Sequence, residues 1–201
     1  MSHSAKKARN HLWATFFVMG ISSMAWVPRI PEIKEQLGLR DGQFGFVILA
    51  GAFGSVFGTQ ISGRAIHVIA SKKFARICAV LMPIGIFTMG SANSVLALVI
   101  GLFITGMSFA ALDVSANVQA MAIEKLSKAR YMSSFHAMWS VGAFAVTLLG
   151  GVMAKLITPQ EHLKYLAIIS AVLYVITISG LLSGDEDGHK GCLLYTSDAA
   201  D

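Results

Sequence analysis

The chain has 201 residues, of which 55% are hydrophobic and only 13% charged, at a mean hydropathy of +0.65, whereas soluble domains carry roughly 25% charged residues. That balance excludes an ordinary soluble domain and indicates a membrane protein whose surroundings are a lipid bilayer. A formal net charge of +5 would suggest a nucleic-acid surface in a soluble chain, but here Lys and Arg cluster between apolar runs, so they report topology and no nucleic-acid partner is expected.

In chain order, the N-terminus MSHSAKKARNHLWATFFVMGISSMAW starts basic and turns apolar like a signal peptide. Trp26, Pro28 and Arg29 follow where small residues should mark cleavage, so the stretch is read as a retained span behind a short segment, residues 1–11. Six apolar runs follow, at about 12–27, 42–62, 74–90, 94–122, 132–154 and 163–182, most near the ~20 residues that cross a ~30 Å hydrocarbon core. Backbone polar groups find no water in lipid, so runs of this length must be helices, and no alternation of barrel strands is present. The predicted fold is an all-α membrane protein with six transmembrane helices over residues 12–182, the first and third looking short. Cys78 in an apolar run and Cys192 in the tail form neither a disulfide framework nor a metal-ligand pattern, and no cofactor or metal is expected.

Orientation is read from the connecting segments. Ten basic residues (Lys6, Lys7, Arg9; Arg64, Lys72, Lys73, Arg76; Lys125, Lys128, Arg130) fall on one side, against five (Arg29, Lys34, Arg40, Lys155, Lys164) on the other. The positive-inside rule then puts both termini in the cytoplasm. The first outer segment, PRIPEIKEQLGLRDGQ, has the prolines and the Ile33/Leu37 spacing of a short interfacial helix and no evident chemistry. Gly51, Gly54, Gly58 and Gly63 punctuate the second span, and Gly54-x-x-x-Gly58 is a small-residue pair that lets backbones approach, within the bundle rather than at a dimer seam.

Asp113 poses the central question, because an ionisable group facing lipid costs ~2.5–3.5 kcal/mol at a helix centre. Gly106, Ala110, Asp113 and Asn117 succeed one another at three- and four-residue steps along the fourth span, so one face carries small residues and then polar ones, prolonged by Gln119. Either Asp113 lines a watery cavity, or it snorkels to water from the cytoplasmic end of the span. Beyond a basic connection comes YMSSFHAMWSVGAF, where Ser133, His136 and Ser140 form one helical stripe with Trp139 adjacent and Gly142 opening space beside it. Donors, acceptors and an indole face suit a hydroxyl-rich ligand such as a sugar; an interhelical hydrogen bond holding the two spans together is the alternative. The predicted substrate-binding residues are Asn117, His136, Trp139 and Ser140, with Asp113 the candidate proton-coupling group.

Two stretches carry a family resemblance. GRAIHVIASKK, taken as the loop after the second span, resembles the signature loop of the major facilitator superfamily: Gly63, Lys72 and Lys73 fall on its spacing, whereas His67, Val68 and Ala70 stand where its aspartate, arginine and second glycine belong. LDVSANVQA followed by MSSFHAMWSVGA is similar to the fourth and fifth spans of the fucose/glucose-type branch, and WVPRIPEIKEQLGL to related uncharacterised bacterial members, over roughly residues 10–182. The resemblance implies the N-terminal six-helix half of a twelve-helix transporter in a bacterial inner (plasma) membrane, with a C-terminal half as partner and a small-molecule substrate. It implies that Gly63, His67, Lys72 and Lys73 belong to a gating loop, and that Asp113, Asn117 and His136 match an acidic residue, an Asn and a His or Gln of proton-coupled sugar members. The second carboxylate those members place in the first span has no match here.

After Leu182 the chain turns polar, and GCLLYTSDAAD resembles translated sequencing-adapter sequence, so the chain is expected to be a fragment with residues 183–201 partly artefactual; a native disordered tail fits the same composition. An enzyme is not expected. An aspartyl intramembrane protease needs two facing aspartates, and Asp113 is the lone acidic residue of the spans; a serine type lacks a Gly-x-Ser-x-Gly elbow. The predicted function is secondary transport of a small polar solute, with a non-transporting sensor on the same fold as the rival.

Overall fold

In the computed structural model, which describes residues 3–188, the apolar runs are helices and no strand occurs among the described residues. The long helices are α1 (His3–Met24), α3 (Asp41–Ile69), α4 (Ser71–Gly90), α5 (Val95–Ser127), α6 (Met132–Met153) and α7 (Pro159–Ser179), and α2 (Ile30–Gln36) is the short helix expected after the first span, preceded by a 3-10 turn at Val27–Arg29. The adapter-like stretch, residues 191–201 with Cys192, lies outside the described residues, whereas Cys78 is buried in α4.

Several ends differ from the apolar runs for identifiable reasons. α1 begins nine residues before the first run, because Ala5 and Ala8 pack inward while Lys6, Lys7 and Asn10 project outward. α7 starts at Pro159, where Thr158 and Glu161 form a reciprocal capping box: the Glu161 N–H donates to Thr158 Oγ1 (3.3 Å), and the Thr158 N–H donates to Glu161 Oε2 (3.0 Å). A Pro at the first helical position and an acidic residue at the third complete that signature. Five helices, α3 to α7, are long and apolar enough to cross a membrane. α1 has the length but falls short in apolarity, since its first third is basic.

The expected loop at GRAIHVIASKK is not a loop. Gly63 to Ile69 are the last two turns of α3, and Ser71 already starts α4, so the connection is Ala70 alone, at φ 70° and ψ 153°. Ile66 and Ser62 are buried on the inner face of those turns, which keeps the helix going past Gly63. The reversal falls where the family spacing has a glycine, in a backbone region that L residues rarely adopt.

The bundle is held by close backbone approach. A Cβ on Gly54 or Gly58 of α3 would run into the carbonyl oxygens of Phe103 and Met107, and one on Gly106 of α5 into that of Gly51. The Gly54/Gly58 pair thus packs α3 on α5 inside the bundle. Gly20 of α1 and Gly142 of α6 form a second seam of the same kind, against Trp139 and Phe17. Between these seams lies one core that includes Leu12, Phe16, Met19, Leu98, Leu112 and Phe135. Large apolar side chains such as Phe46, Phe53, Phe57, Phe144 and Leu148 point outward, the reverse of a soluble bundle and suited to lipid or a further helical partner.

Both ends of the bundle are tied by polar contacts. At the basic end the Arg9 guanidinium lies over the rings of Trp13 and Tyr131, 4.7 and 5.2 Å from their centroids, and the Trp13 indole N–H donates to Ser134 Oγ (2.9 Å). At the opposite end Arg29, fully buried, donates from Nη2 to the Ile157 carbonyl (2.7 Å) and pairs with Glu32 (2.6 Å).

Candidate functional site

α5 is the helix that positions the polar face. Ser94 caps its start, accepting from the Ala97 N–H (3.3 Å), and the helix then runs unbroken to Ser127. Asp113 therefore has about 27 Å of helix before it and about 21 Å after it, at 1.5 Å per residue. Asp113 thus lies in the interior of one continuous helix, and α5, at about 50 Å, is longer than the ~30 Å hydrocarbon core.

The structure brings three of the expected residues into one chain of hydrogen bonds. Asn117 Nδ2 donates to Asp113 Oδ2 (3.1 Å) and to the Asp113 carbonyl (2.9 Å). His136 of α6 places Nε2 3.3 Å from Asn117 Oδ1. The chain Asp113–Asn117–His136 crosses from α5 to α6, with Asp113 and Asn117 half-buried and His136 exposed. The His136 ring stands edge-on to Phe16 of α1 at 5.1 Å. Ser140 is exposed and donates to the His136 carbonyl (3.2 Å), leaving its oxygen free to accept. Trp139 is half-buried, 6.4 Å from Phe109, and its indole N–H has no hydrogen-bond partner among the described residues.

Two sequence readings need correction here. Gly142 does not open space beside the stripe; its bare backbone lets α1 approach, with Phe17 filling the place a side chain would take. Gln119 does not extend the polar face of Asp113 and Asn117, because two residues past Asn117 is roughly 200° around the helix. It is buried on the opposite side, where its Nε2 donates to Ser71 Oγ (2.8 Å) and its Oε1 accepts from the Leu182 N–H (2.8 Å). Asp187 completes that network by accepting from the Ser71 N–H (2.9 Å) and hydroxyl (2.5 Å).

The four residues of the expected gating loop lie on two helices. Gly63 is exposed with open space around its Cα, His67 is half-buried, Lys72 donates to the Leu181 carbonyl (2.7 Å), and Lys73 is exposed. The structure also shows a recess that sequence reading missed. A cavity of about 270 Å³ opens between the end of α1, α3 and α5, lined by residues that include Ser23, Trp26, Ser55, Thr105 and Phe109. Phe109 links it to Trp139, so the aromatic pair stands between this recess and the polar stripe. The only sequence hint was the pairing of small hydroxyl residues with glycines in α3 and α5. Among the described residues no group of three or more His, Cys, Asp or Glu could hold a metal ion.

The chain that carries this arrangement matches a known family over most of its length. The family model of the Major Facilitator Superfamily matches residues 12–192. The chain belongs to the Major Facilitator Superfamily. It is a multi-pass integral membrane protein of that superfamily, built from apolar helices. It is similar to an uncharacterized transporter of Sinorhizobium fredii (strain NBRC 101917 / NGR234), 31% identical over 169 residues, which covers 84% of this chain and 43% of the relative. An uncharacterized MFS-type transporter of Yersinia pestis is 26% identical over 89% of this chain and 47% of its own length. A human protein named sodium-dependent glucose transporter 1 is 24% identical over 69% of this chain and 27% of its own. The chain spans less than half the length of each of these superfamily relatives.

Proposed function

We propose that this chain is the N-terminal, six-helix half of a twelve-helix secondary transporter, with α1 as the sixth span, and that it carries a small polar solute of the sugar class by alternating access. The observation that carries the reading is the Asp113–Asn117–His136 chain, placed mid-helix on a face the six helices leave open. In this fold the substrate binds near the midplane between two halves, and rocking of the halves exposes it to each side in turn. Asn117, His136 and Ser140 supply donors and acceptors to hydroxyls, and Trp139 with Phe109 supplies an apolar face for a sugar ring. Asp113 is the coupling group: it binds a proton or a monovalent cation together with substrate and releases it on the other side. The name of the human relative, a sodium-dependent glucose transporter, supports both a sugar and an ion-coupled mechanism. The inner end of α3 and the start of α4, with Gly63, His67, Lys72 and Lys73, form the cytoplasmic gate against the second half. The excess of basic residues on one side supports an orientation in a bacterial inner membrane with both termini cytoplasmic.

The test is uptake by the complete protein in proteoliposomes against labelled sugars, with imposed proton and sodium gradients. Saturable, gradient-driven accumulation that Asp113→Asn abolishes, with downhill exchange retained, supports the reading; the preferred gradient identifies the ion. Saturable binding with no flux favours a membrane sensor on this fold, and absence of both refutes the sugar site.

A further inference from the structure

On the side of the bundle formed by α4 and α7 lies a groove of about 560 Å³, lined by residues that include Arg76, Val80, Pro83, Ile84, Tyr174 and Val175. Pro83 and Ile84 also line a second recess that reaches Phe87 and Thr88, so the two form one furrow along α4. From Arg76 to Thr88 that furrow is about 18 Å long at 1.5 Å per residue, close to the ~15 Å of hydrocarbon in one leaflet of a ~30 Å core. Its walls are almost wholly apolar and its charge sits at one end. Arg76 is exposed and has no hydrogen-bond or ion-pair partner among the described residues. Exposed Lys73 and half-buried Lys72 lie one turn further toward the start of α4, on the same side. A second groove of similar size, about 480 Å³, lies between α6 and α7 and is lined by residues such as Phe17, Leu149 and Ile169, with no Lys or Arg.

We propose that the α4–α7 groove is a binding site for an anionic phospholipid, with one acyl chain along the furrow and the headgroup phosphate on Arg76. Charge complementarity selects this occupant: an apolar furrow one leaflet long with an unpartnered guanidinium at its mouth matches a chain attached to an anion. A second protein helix would fill the furrow but leave Arg76 without a partner. Guanidinium pairs with phosphate oxygens in a fork, and Lys73 adds a nearby positive charge. Basic residues where membrane helices meet water attract anionic headgroups by roughly 1 kcal/mol each, which is about a fivefold preference per residue. The site requires α4 and α7 to span the bilayer and does not depend on any transported solute, so its failure would leave the transport reading standing.

The experiment uses the complete protein in phosphatidylcholine nanodiscs doped with phosphatidylglycerol that carries a diazirine on its acyl chain, followed by peptide mapping of photo-adducts. The expected result is labelling of α4 and α7 peptides several-fold above that from the matching phosphatidylcholine probe. Unlabelled phosphatidylglycerol should compete and inorganic phosphate should not, while the α6–α7 groove should label equally with either probe. Arg76→Gln should reduce the α4–α7 preference about fivefold. Ala171→Phe, which fills the furrow where its two parts join, should remove labelling there with both probes. Equal labelling by the two lipids, an unchanged preference in Arg76→Gln, or an unlabelled furrow covered by protein would each overturn the proposal.

Discussion

Replacing either of two glycines five residues apart in α3 by alanine should change stability in opposite directions. At Gly58 a Cβ would overlap the Met107 carbonyl oxygen and stand 2.9 Å from its carbon and 3.1 Å from its Cα. Carbon atoms rest at roughly 3.5–4.0 Å, so α3 and α5 must separate by about 1 Å, and none of the three Met107 atoms can rotate away because all belong to backbone. Overpacking of this kind costs about 1–3 kcal/mol, and here the shift would also loosen the contact of Gly106 with Gly51 half a seam away. At Gly63 nothing lies within 4 Å and the residue is helical. Alanine there gains about 0.5–1 kcal/mol from the restricted unfolded chain and better helix propensity. Thermal unfolding of the two purified variants in the same detergent, followed by reactivity of the buried thiol of Cys78, gives the comparison: Gly58→Ala should melt below the parent and Gly63→Ala above it. If both move the same way, the α3–α5 seam is not as close as the structure has it. A Gly63→Ala protein that is more stable yet transports poorly would assign Gly63 to contact with the second half.

Reporter fusions after Lys128 should be cytoplasmic and fusions after Lys155 periplasmic, because ten basic residues against five set the orientation; the reverse pattern refutes the assignment of both termini. His136→Ala should weaken sugar binding by the complete protein about tenfold while its melting temperature holds within a few degrees, since the side chain is exposed and has one hydrogen bond, to Asn117, beside its ring contact with Phe16; equal affinity in a binding assay would remove His136 from the site. Arg29→Met should cost about 2–3 kcal/mol in a denaturation assay, because it strips the Ile157 carbonyl of its donor and leaves half-buried Glu32 without its cation; a neutral result would mean that buried Arg29 does not join the outer ends of the helices.

The long helices and their membrane setting were legible from apolar length alone, because lipid offers the backbone no hydrogen bonds and helix is the one local solution for an isolated span. The ten-to-five charge asymmetry was equally local, needing no knowledge of packing. The three- and four-residue spacing of Asp113, Asn117 and of Ser133, His136 and Ser140 placed them on helix faces, and the capping box at Thr158 and Glu161 was present in TPQE although the apolar run begins later. Which faces meet was not legible. Gly142 and Gln119 show why: glycine beside a polar stripe and a polar side chain near two others read the same whether they turn toward a cavity or a neighbouring helix. Tertiary packing sent Gly142 to α1 and Gln119 to Ser71 and Leu182. The same holds for the turn at Ala70, for the burial of Arg29 against a carbonyl 128 residues away, and for the furrow below Arg76. Each depends on groups distant in sequence and close in space, and periodicity within one helix carries no information about the helix that will lie against it.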